Sequence, residues 1–482
     1  MMNAPRVRQR SEEAAAGSLF NGSSSAAGLL DVPLIEAAER CAHALTTRNE
    51  GTYSLYASRE GTCNWARNVV YSAPRVLYPA TIQELGDLVR CAKKCRGLGS
   101  RHSFSRVADT TGDLISPMMA GISINAKART VRCGAGTTYA ALAQALLAAG
   151  WAIHNLASLP HISVVGALMT ATHGSGMHLG NLATALLSCE FVDARGALNA
   201  CADANTMQAV MLGAIGLVTE VTLAIEPSFD LRQDVYVELP WKWLQDSDAL
   251  DAVFGEAYSV SLFIDDWASE RGASQAWFKR RAPGYAALAP AAPVLFGAKL
   301  SRRQLHPIAS ESAVACTHQG EPPGPWCERL PHFRADDEPS SRGDELQSEY
   351  FVARADAPAA IEALRRIGGA LQPFLQVSEL RVVAADELWL SPCYKREALG
   401  IHFTWVHNMN RVVMIALQLV EAALSPFRAR PHWGKLFAMS PASIATLYPR
   451  LSDYRELVTR LDPAGKFRNT FIDRYILAAP VP

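Results

Sequence analysis

Arg96-Gly-Leu-Gly-Ser-Arg-His102-Ser-Phe104 places two glycines, two serines and a histidine in one short loop. Glycines let a backbone approach a ligand closely, and successive N–H groups in such a loop form a cradle for anions. The ligand suited to a cradle that also carries a nucleophilic ring is a phosphate-bearing cofactor. The Gly-x-Gly is not the opening of a dinucleotide fingerprint. His102 stands where the third glycine is needed, and no helix start follows, so a Rossmann reading fails on context.

The residues before the loop set its frame. Val76-Leu-Tyr-Pro79 reads as a short strand. Thr81-Ile-Gln-Glu84 is a capping box, followed by apolar residues at Ile82, Leu85, Val89 and Ala92, so an amphipathic helix leads directly into the loop. Downstream, Thr130–Cys133 reads as a strand and Thr137–Ala149 as a helix stopped by Gly150. Strand, helix and glycine loop make an α/β layer. The stretch from Asn155 to Gly176 is dense in hydroxyls and glycines and nearly uncharged, which suits a pyrophosphate held by amides and hydroxyls. Gly213 to Leu223 is a turn running into a strand, and it closes a first domain near residue 228.

Residues 229–430 change texture, with frequent Trp, Pro and Arg. Tyr258–Ile264 reads as a strand and Pro322-Pro-Gly-Pro325 as a rigid loop. The expectation is an antiparallel sheet with covering helices. Val377-Ser-Glu-Leu-Arg-Val382 puts Glu379 and Arg381 on one face of a strand, and Ile401-His-Phe-Thr-Trp405 does the same for His402 and Thr404. Set side by side, the two faces make a polar floor. Residues 431–482, with Pro431-His-Trp-Gly-Lys435, are expected to return to the first domain.

The chain has 482 residues, which predicts two domains, and its 46 basic and 46 acidic side chains balance. That balance removes the footprint of a nucleic-acid binder. The 10 cysteines include no C-x-x-C pair, so they read as reduced thiols of a cytoplasmic protein, and no metal site is expected. No apolar run reaches membrane-spanning length; Ala140–Leu159 comes nearest and is interrupted by Gln144, His154 and Asn155. Residues 1–62 are expected to be an N-terminal extension, partly disordered, with a possible helix at Leu34–Arg48 to which no role is assigned.

Seven stretches in order carry a family resemblance. They are Gly97–Phe104, Ala157-Ser-Leu-Pro-His-Ile-Ser163, Ala171-Thr-His-Gly-Ser-Gly176, Gly324-Pro-Trp-Cys-Glu-Arg-Leu-Pro-His-Phe333, His402-Phe-Thr-Trp405, Arg430-Pro-His-Trp-Gly-Lys-Leu-Phe437 and Leu461-Asp-Pro-Ala-Gly-Lys-Phe467. From about Asn64 to Leu477 the chain resembles the bacterial alditol (xylitol) oxidases of the vanillyl-alcohol-oxidase-type flavoproteins. Arg101 departs from the pattern, standing where some relatives carry glycine, and the segment Leu114–Arg129 is a few residues short.

The resemblance implies an α+β fold with a two-part FAD-binding domain, residues 63–228 and 431–482, and an antiparallel-sheet substrate (cap) domain, residues 229–430. It implies FAD held covalently through His102. The cofactor contacts expected are Gly97, Leu98, Gly99, Ser100, Arg101, His102, Ser103 and Phe104, then Ser158, Ser163, Gly166, Thr170, Thr172, His173 and Gly174, and finally Ile215. Substrate contacts implied are Ser158, Glu379, Arg381, Thr404 and Lys435. Arg381 and Lys435 would stabilise a developing alkoxide, and His402 or a neighbour would take the proton. The activity implied is oxidation of a terminal hydroxyl of xylitol or sorbitol with O2 as acceptor, by a monomer with no nucleic-acid or membrane partner. A sugar-lactone oxidase of the same fold is the alternative within enzymes. A silent sugar-binding protein is the alternative outside them, and it would require a broken His102 loop or Lys435 motif.

Overall fold

Thr81 opens the first described helix of the computed structural model, which describes residues 62–202, 211–282, 288–337 and 343–478. The expected N-terminal extension and its Leu34–Arg48 helix lie outside the described residues, apart from residue 62. Thr81 Oγ1 accepts the Glu84 N–H at 3.2 Å, and Glu84 Oε2 accepts the Thr81 N–H at 3.2 Å. This reciprocal cap starts helix Ile82–Cys91, which buries Leu85 and Val89. Ile82, expected on the apolar face, is 41% exposed because it occupies the first helical position.

The helix does not lead straight into the glycine loop. A strand, Cys95–Gly97, comes between them and pairs in parallel with Asp113–Ile115, which also pairs with Val76–Leu77. The loop therefore leaves the end of a parallel sheet. A five-stranded sheet lies beside it, with Thr130–Gly134 between Ile122–Asn125 and Leu217–Ala224. Thr138 caps helix Tyr139–Ala148, and Gly150, at φ +78°, lets the chain turn back after it.

Arg96 ties this region to the C-terminal segment. Its buried guanidinium donates to the carbonyl oxygens of Phe467, Val107 and Leu212 at 2.8, 2.6 and 2.7 Å, and to that of Gly213 at 3.2 Å. A buried cation without such acceptors would be costly. Ile444, Tyr454 and Val458 of the C-terminal helices share one apolar core with Leu142, Leu146 and Val221.

A ten-stranded sheet takes its strands from Asp230 to Pro431. Pro322–Pro325, expected as a loop, belongs to strand Gly320–Pro325, which pairs with Asp230–Leu239. Its prolines are tolerated because that strand lies at the margin of the sheet, where fewer backbone donors are needed. At the sheet's centre run Ser259–Ile264, Leu375–Val383, Ala398–Val406 and Glu345–Ala353, all antiparallel to their neighbours. Their registers align Phe263, Glu379, His402 and Glu349 in one row across four strands. The intervening residues Leu380, Ile401 and Tyr350 point the other way. They join an apolar core with Ile361 and Leu364 of helix Ala357–Leu371 and with Val420 of helix Leu417–Leu424. Period-2 alternation thus gives the sheet one dry face and one polar face.

Candidate active site

One cavity runs from the glycine loop, past the segment from Ala157 to Thr172, to the polar face of the large sheet. Its wall includes every residue from Gly97 to Phe104, together with Ser158, Ser163, Gly166, Thr170, Thr172 and His173. Glu379, Arg381, His402, Thr404 and Lys435 line the same cavity. Gly174 and Ile215 are not in the wall. Gly174 packs on Asn155, whose Oδ1 would lie 2.3 Å from an added Cβ, and Ile215 is 2% exposed in the core.

The loop end has the form of a cofactor cradle. A Cβ on Gly99 or Gly166 would sit 2.4 or 2.5 Å from Ser163 Oγ, so both positions exclude side chains. Ser100 Oγ accepts the Ser163 N–H at 2.9 Å and locks the two segments together. Arg101 has φ +64°, a left-handed conformation that costs a non-glycine residue roughly 1–2 kcal/mol. This is the position where glycine stands in some relatives. The Arg101 guanidinium donates to Tyr78 Oη at 3.1 Å.

His102 stacks on Trp65 with ring centroids 5.5 Å apart, and its Nδ1 is buried without a hydrogen-bond partner. Burial, and then His161, push its pKa down to about 4. At neutral pH it is an uncharged imidazole, the form in which a ring nitrogen can act as a nucleophile. A buried ring nitrogen left unsatisfied in a cavity wall fits a group that bonds there.

The sheet end centres on Glu349, a residue absent from the sequence-based expectations. Its side chain is fully buried, and it accepts from Lys435 Nζ at 2.7 Å and from Arg381 Nη2 at 3.0 Å. His173 Nε2 lies 3.0 Å from the same carboxylate. Burial by itself would raise the Glu349 pKa, but Lys435, His173 and Arg381 hold it well below the usual carboxylate range. Gly400 leaves the space for this meeting: an added Cβ would lie 3.3 Å from Glu349 Oε1 and 3.5 Å from His173 Cε1. The signal was present in the sequence, because Glu345, Gln347 and Glu349 alternate along one strand face and all three line the cavity.

His402 Nδ1 lies 2.8 Å from Lys435 Nζ, and Nε2 lies 3.1 Å from Thr404 Oγ1. Burial first, and then Lys435, hold the His402 pKa well below its ordinary value, so the ring is neutral. Its Nδ1 accepts from Lys435, and its Nε2–H donates to Thr404. Among the described residues no group of three or more His, Cys, Asp or Glu side chains could hold a metal ion, and no helix is long and apolar enough to cross a membrane.

An alditol oxidase of a Streptomyces species is 43% identical over 418 residues, covering 85% of this chain and 97% of that protein. The chain belongs to the alditol oxidase family. Residues 73–202 match the FAD binding domain family, and residues 344–475 match the D-arabinono-1,4-lactone oxidase family. The chain is therefore an FAD-dependent oxidoreductase of the vanillyl-alcohol-oxidase type, with FAD as its cofactor. An L-gulono-1,4-lactone dehydrogenase of Mycobacterium tuberculosis is 25% identical and covers 86% of this chain and 98% of its own length. The α+β fold is that of the crystal structure of cholesterol oxidase from B. sterolicum, with a TM-score of 0.71 at 16% identity over 87% of this chain and 97% of that one.

Proposed function

We propose that this alditol oxidase family member oxidises a terminal primary hydroxyl of linear polyols, such as xylitol or sorbitol, to the aldose and reduces O2 to H2O2. The observation that carries this reading is one buried carboxylate, Glu349, holding two cations, Lys435 and Arg381, in the wall of the cavity that contains the FAD cradle. Bound FAD supplies acceptance of hydride from the hydroxyl-bearing carbon and transfer of the electrons to O2. Lys435 and Arg381 stabilise negative charge growing on the substrate oxygen. The hydroxyl proton passes to Lys435 Nζ as that ammonium gives a proton to His402 Nδ1, 2.8 Å away. Glu379, Thr404 and Ser158 bind the remaining hydroxyls. Residues 63–228 and 431–482 hold the FAD, and residues 229–430 present the substrate. The enzyme acts as a cytoplasmic monomer, a setting suited to nine described cysteines that form no disulfide with one another.

Anaerobic bleaching of the flavin by xylitol or sorbitol, and H2O2 release in air, test the reading. The lactone relatives make L-gulono-1,4-lactone the competing substrate, and bleaching by the lactone alone sinks the polyol assignment. Thr404→Val removes a neutral contact and is expected to weaken apparent xylitol affinity by about 1 kcal/mol with little change in limiting rate. A fall confined to the limiting rate contradicts that role.

We also propose that His102 carries the FAD covalently. In wild-type protein precipitated with acid, the yellow colour is expected to stay in the pellet. In His102→Ala it is expected in the supernatant, and flavin remaining in the variant's pellet overturns the assignment.

A further inference from the structure

A second line of polar side chains starts outside the cavity, passes through His332 in its wall and ends on Glu379. Lys279, on strand Ala273–Arg281, is 1% exposed. Its Nζ donates to the Leu330 carbonyl oxygen and lies 3.2 Å from His332 Nδ1. His332 Nε2 lies 2.7 Å from Glu379 Oε1. Phe263 and Trp277 hold the imidazole edge-on, with centroids at 5.5 and 5.2 Å. The backbone N–H groups of His332 and Phe333 both donate to the Ser158 carbonyl oxygen, at 3.1 and 3.2 Å. His332 therefore touches two groups on the cavity wall, Glu379 through its ring and Ser158 through its backbone.

The donors and acceptors in this line leave one arrangement. Burial would raise the Glu379 pKa, but Arg381 and His332 bring it well below the usual carboxylate range. An ionised carboxylate only accepts, so His332 Nε2 must carry the proton. Burial and then Lys279 push the His332 pKa down to about 4, so the ring is neutral and Nδ1 is a bare acceptor. Lys279 supplies the N–H that this buried acceptor needs. Which ring nitrogen holds the proton is set by the bond the other one makes. Without Lys279, the Nε2–H stays on the carboxylate but Nδ1 becomes a buried acceptor with no donor, and the ring is no longer held in place beside Glu379. With Oε1 engaged by His332, Glu379 keeps its second oxygen for a ligand.

We propose that Lys279 and His332 are positioning residues: they fix Glu379 as the acceptor for a polyol hydroxyl remote from the oxidised carbon, so that substrate affinity depends on them more than the rate of oxidation does. The proposal rests on the polyol reading above. It assigns a specificity role to a lysine that does not line the cavity.

The test is stopped-flow anaerobic reduction of the holoenzyme with xylitol, together with nitrogen-15 NMR of histidine-labelled protein. Lys279→Met is expected to raise apparent Kd for xylitol about tenfold, the effect of one lost buried hydrogen bond. Its limiting rate is expected to stay within about threefold of wild type, under 1 kcal/mol of barrier. His332→Gln keeps an N–H donor at the Nε2 position without needing Lys279, so its affinity is expected near that of wild type. Lys279→Met added to His332→Gln is expected to cost almost nothing further. A merely structural lysine would cost the same in both backgrounds, and that additivity overturns the proposal, as does an unchanged affinity in Lys279→Met alone. The NMR signal lost in His332→Gln identifies His332. In wild type it is expected to report a bare Nδ1 that accepts a hydrogen bond, and in Lys279→Met a bare Nδ1 shifted toward an acceptor without a donor; an unchanged Nδ1 shift overturns the proposal without reference to activity. Failure of wild type to reduce with any polyol overturns the polyol reading itself, and the NMR arm then decides the Lys279–His332 bond alone.

Discussion

Lys435→Met is expected to keep its flavin and its fold but to reduce about 10²–10³-fold more slowly at saturating xylitol. A polyol hydroxyl is a weak acid at neutral pH, and hydride leaves far more readily from a carbon whose oxygen is alkoxide-like. The site must therefore favour negative charge on that oxygen. Lys435 reaches the site from the C-terminal segment, and Arg381 from the strand Leu375–Val383; Glu349 holds both. A charge-assisted bond used mainly in the transition state affects turnover more than binding. Methionine matches the length of the lysine stem and leaves Glu349 with Arg381 and His173 as partners, so flavin content and melting temperature should change little. Stopped-flow reduction over a range of xylitol concentrations separates the limiting rate from affinity. Reduction at the wild-type limiting rate would make Lys435 a binding residue and move the activation to Arg381.

Glu349→Gln is expected to damage both stability and rate. The substitution keeps the shape but takes from Lys435 its carboxylate partner and leaves Arg381 with Glu379 alone, 3.5 Å from its Nε. Breaking a buried ion pair from one side costs about 3–5 kcal/mol, to be read as a lower midpoint in denaturant. The pH dependence follows from the sign of the Glu349 shift. Its pKa in the folded protein lies well below the ordinary glutamate value of 4.5, so its contribution is fully present above that value. It is lost as pH falls from there toward the folded-state pKa. The stability gap between wild type and variant should be widest at neutral pH and should narrow below pH 4.5.

The rate argument runs through Lys435. Burial lowers its pKa, Glu349 opposes that, and Arg381 adds to it; burial wins, so Lys435 sits below an ordinary lysine even when paired. Without Glu349 the pKa falls further, and a neutral amine no longer stabilises alkoxide. The variant is expected to reduce about 10²-fold more slowly at neutral pH and to recover part of that loss as pH is lowered. A variant whose rate does not rise on the acid side would show that Glu349 acts by geometry alone.

The sequence by itself determined everything that depends on local order. The cap at Thr81 and Glu84 and the alternation of Glu379 with Arg381 and of His402 with Thr404 follow from spacing along one segment. So does the glycine loop, where Gly97, Gly99, Ser100 and His102 stand within six residues. Seven ordered motifs were enough to indicate the family and the cofactor. Only the tertiary structure decided which polar faces meet. Glu349 lies 30 residues from Glu379 and 86 from Lys435, and nothing in its own strand marks it more strongly than Glu345 does. It becomes the hub because the sheet registers set it opposite His402 and the C-terminal segment brings Lys435 to it. His332 stood inside a legible motif, but its link to Lys279 crosses three strands and a loop. Local patterns specify which side of a strand is polar; the charges that compensate one another once water is excluded are chosen by long-range pairing. That is why the glycine loop could be read from the chain, while the carboxylate that holds Lys435 and Arg381 could not.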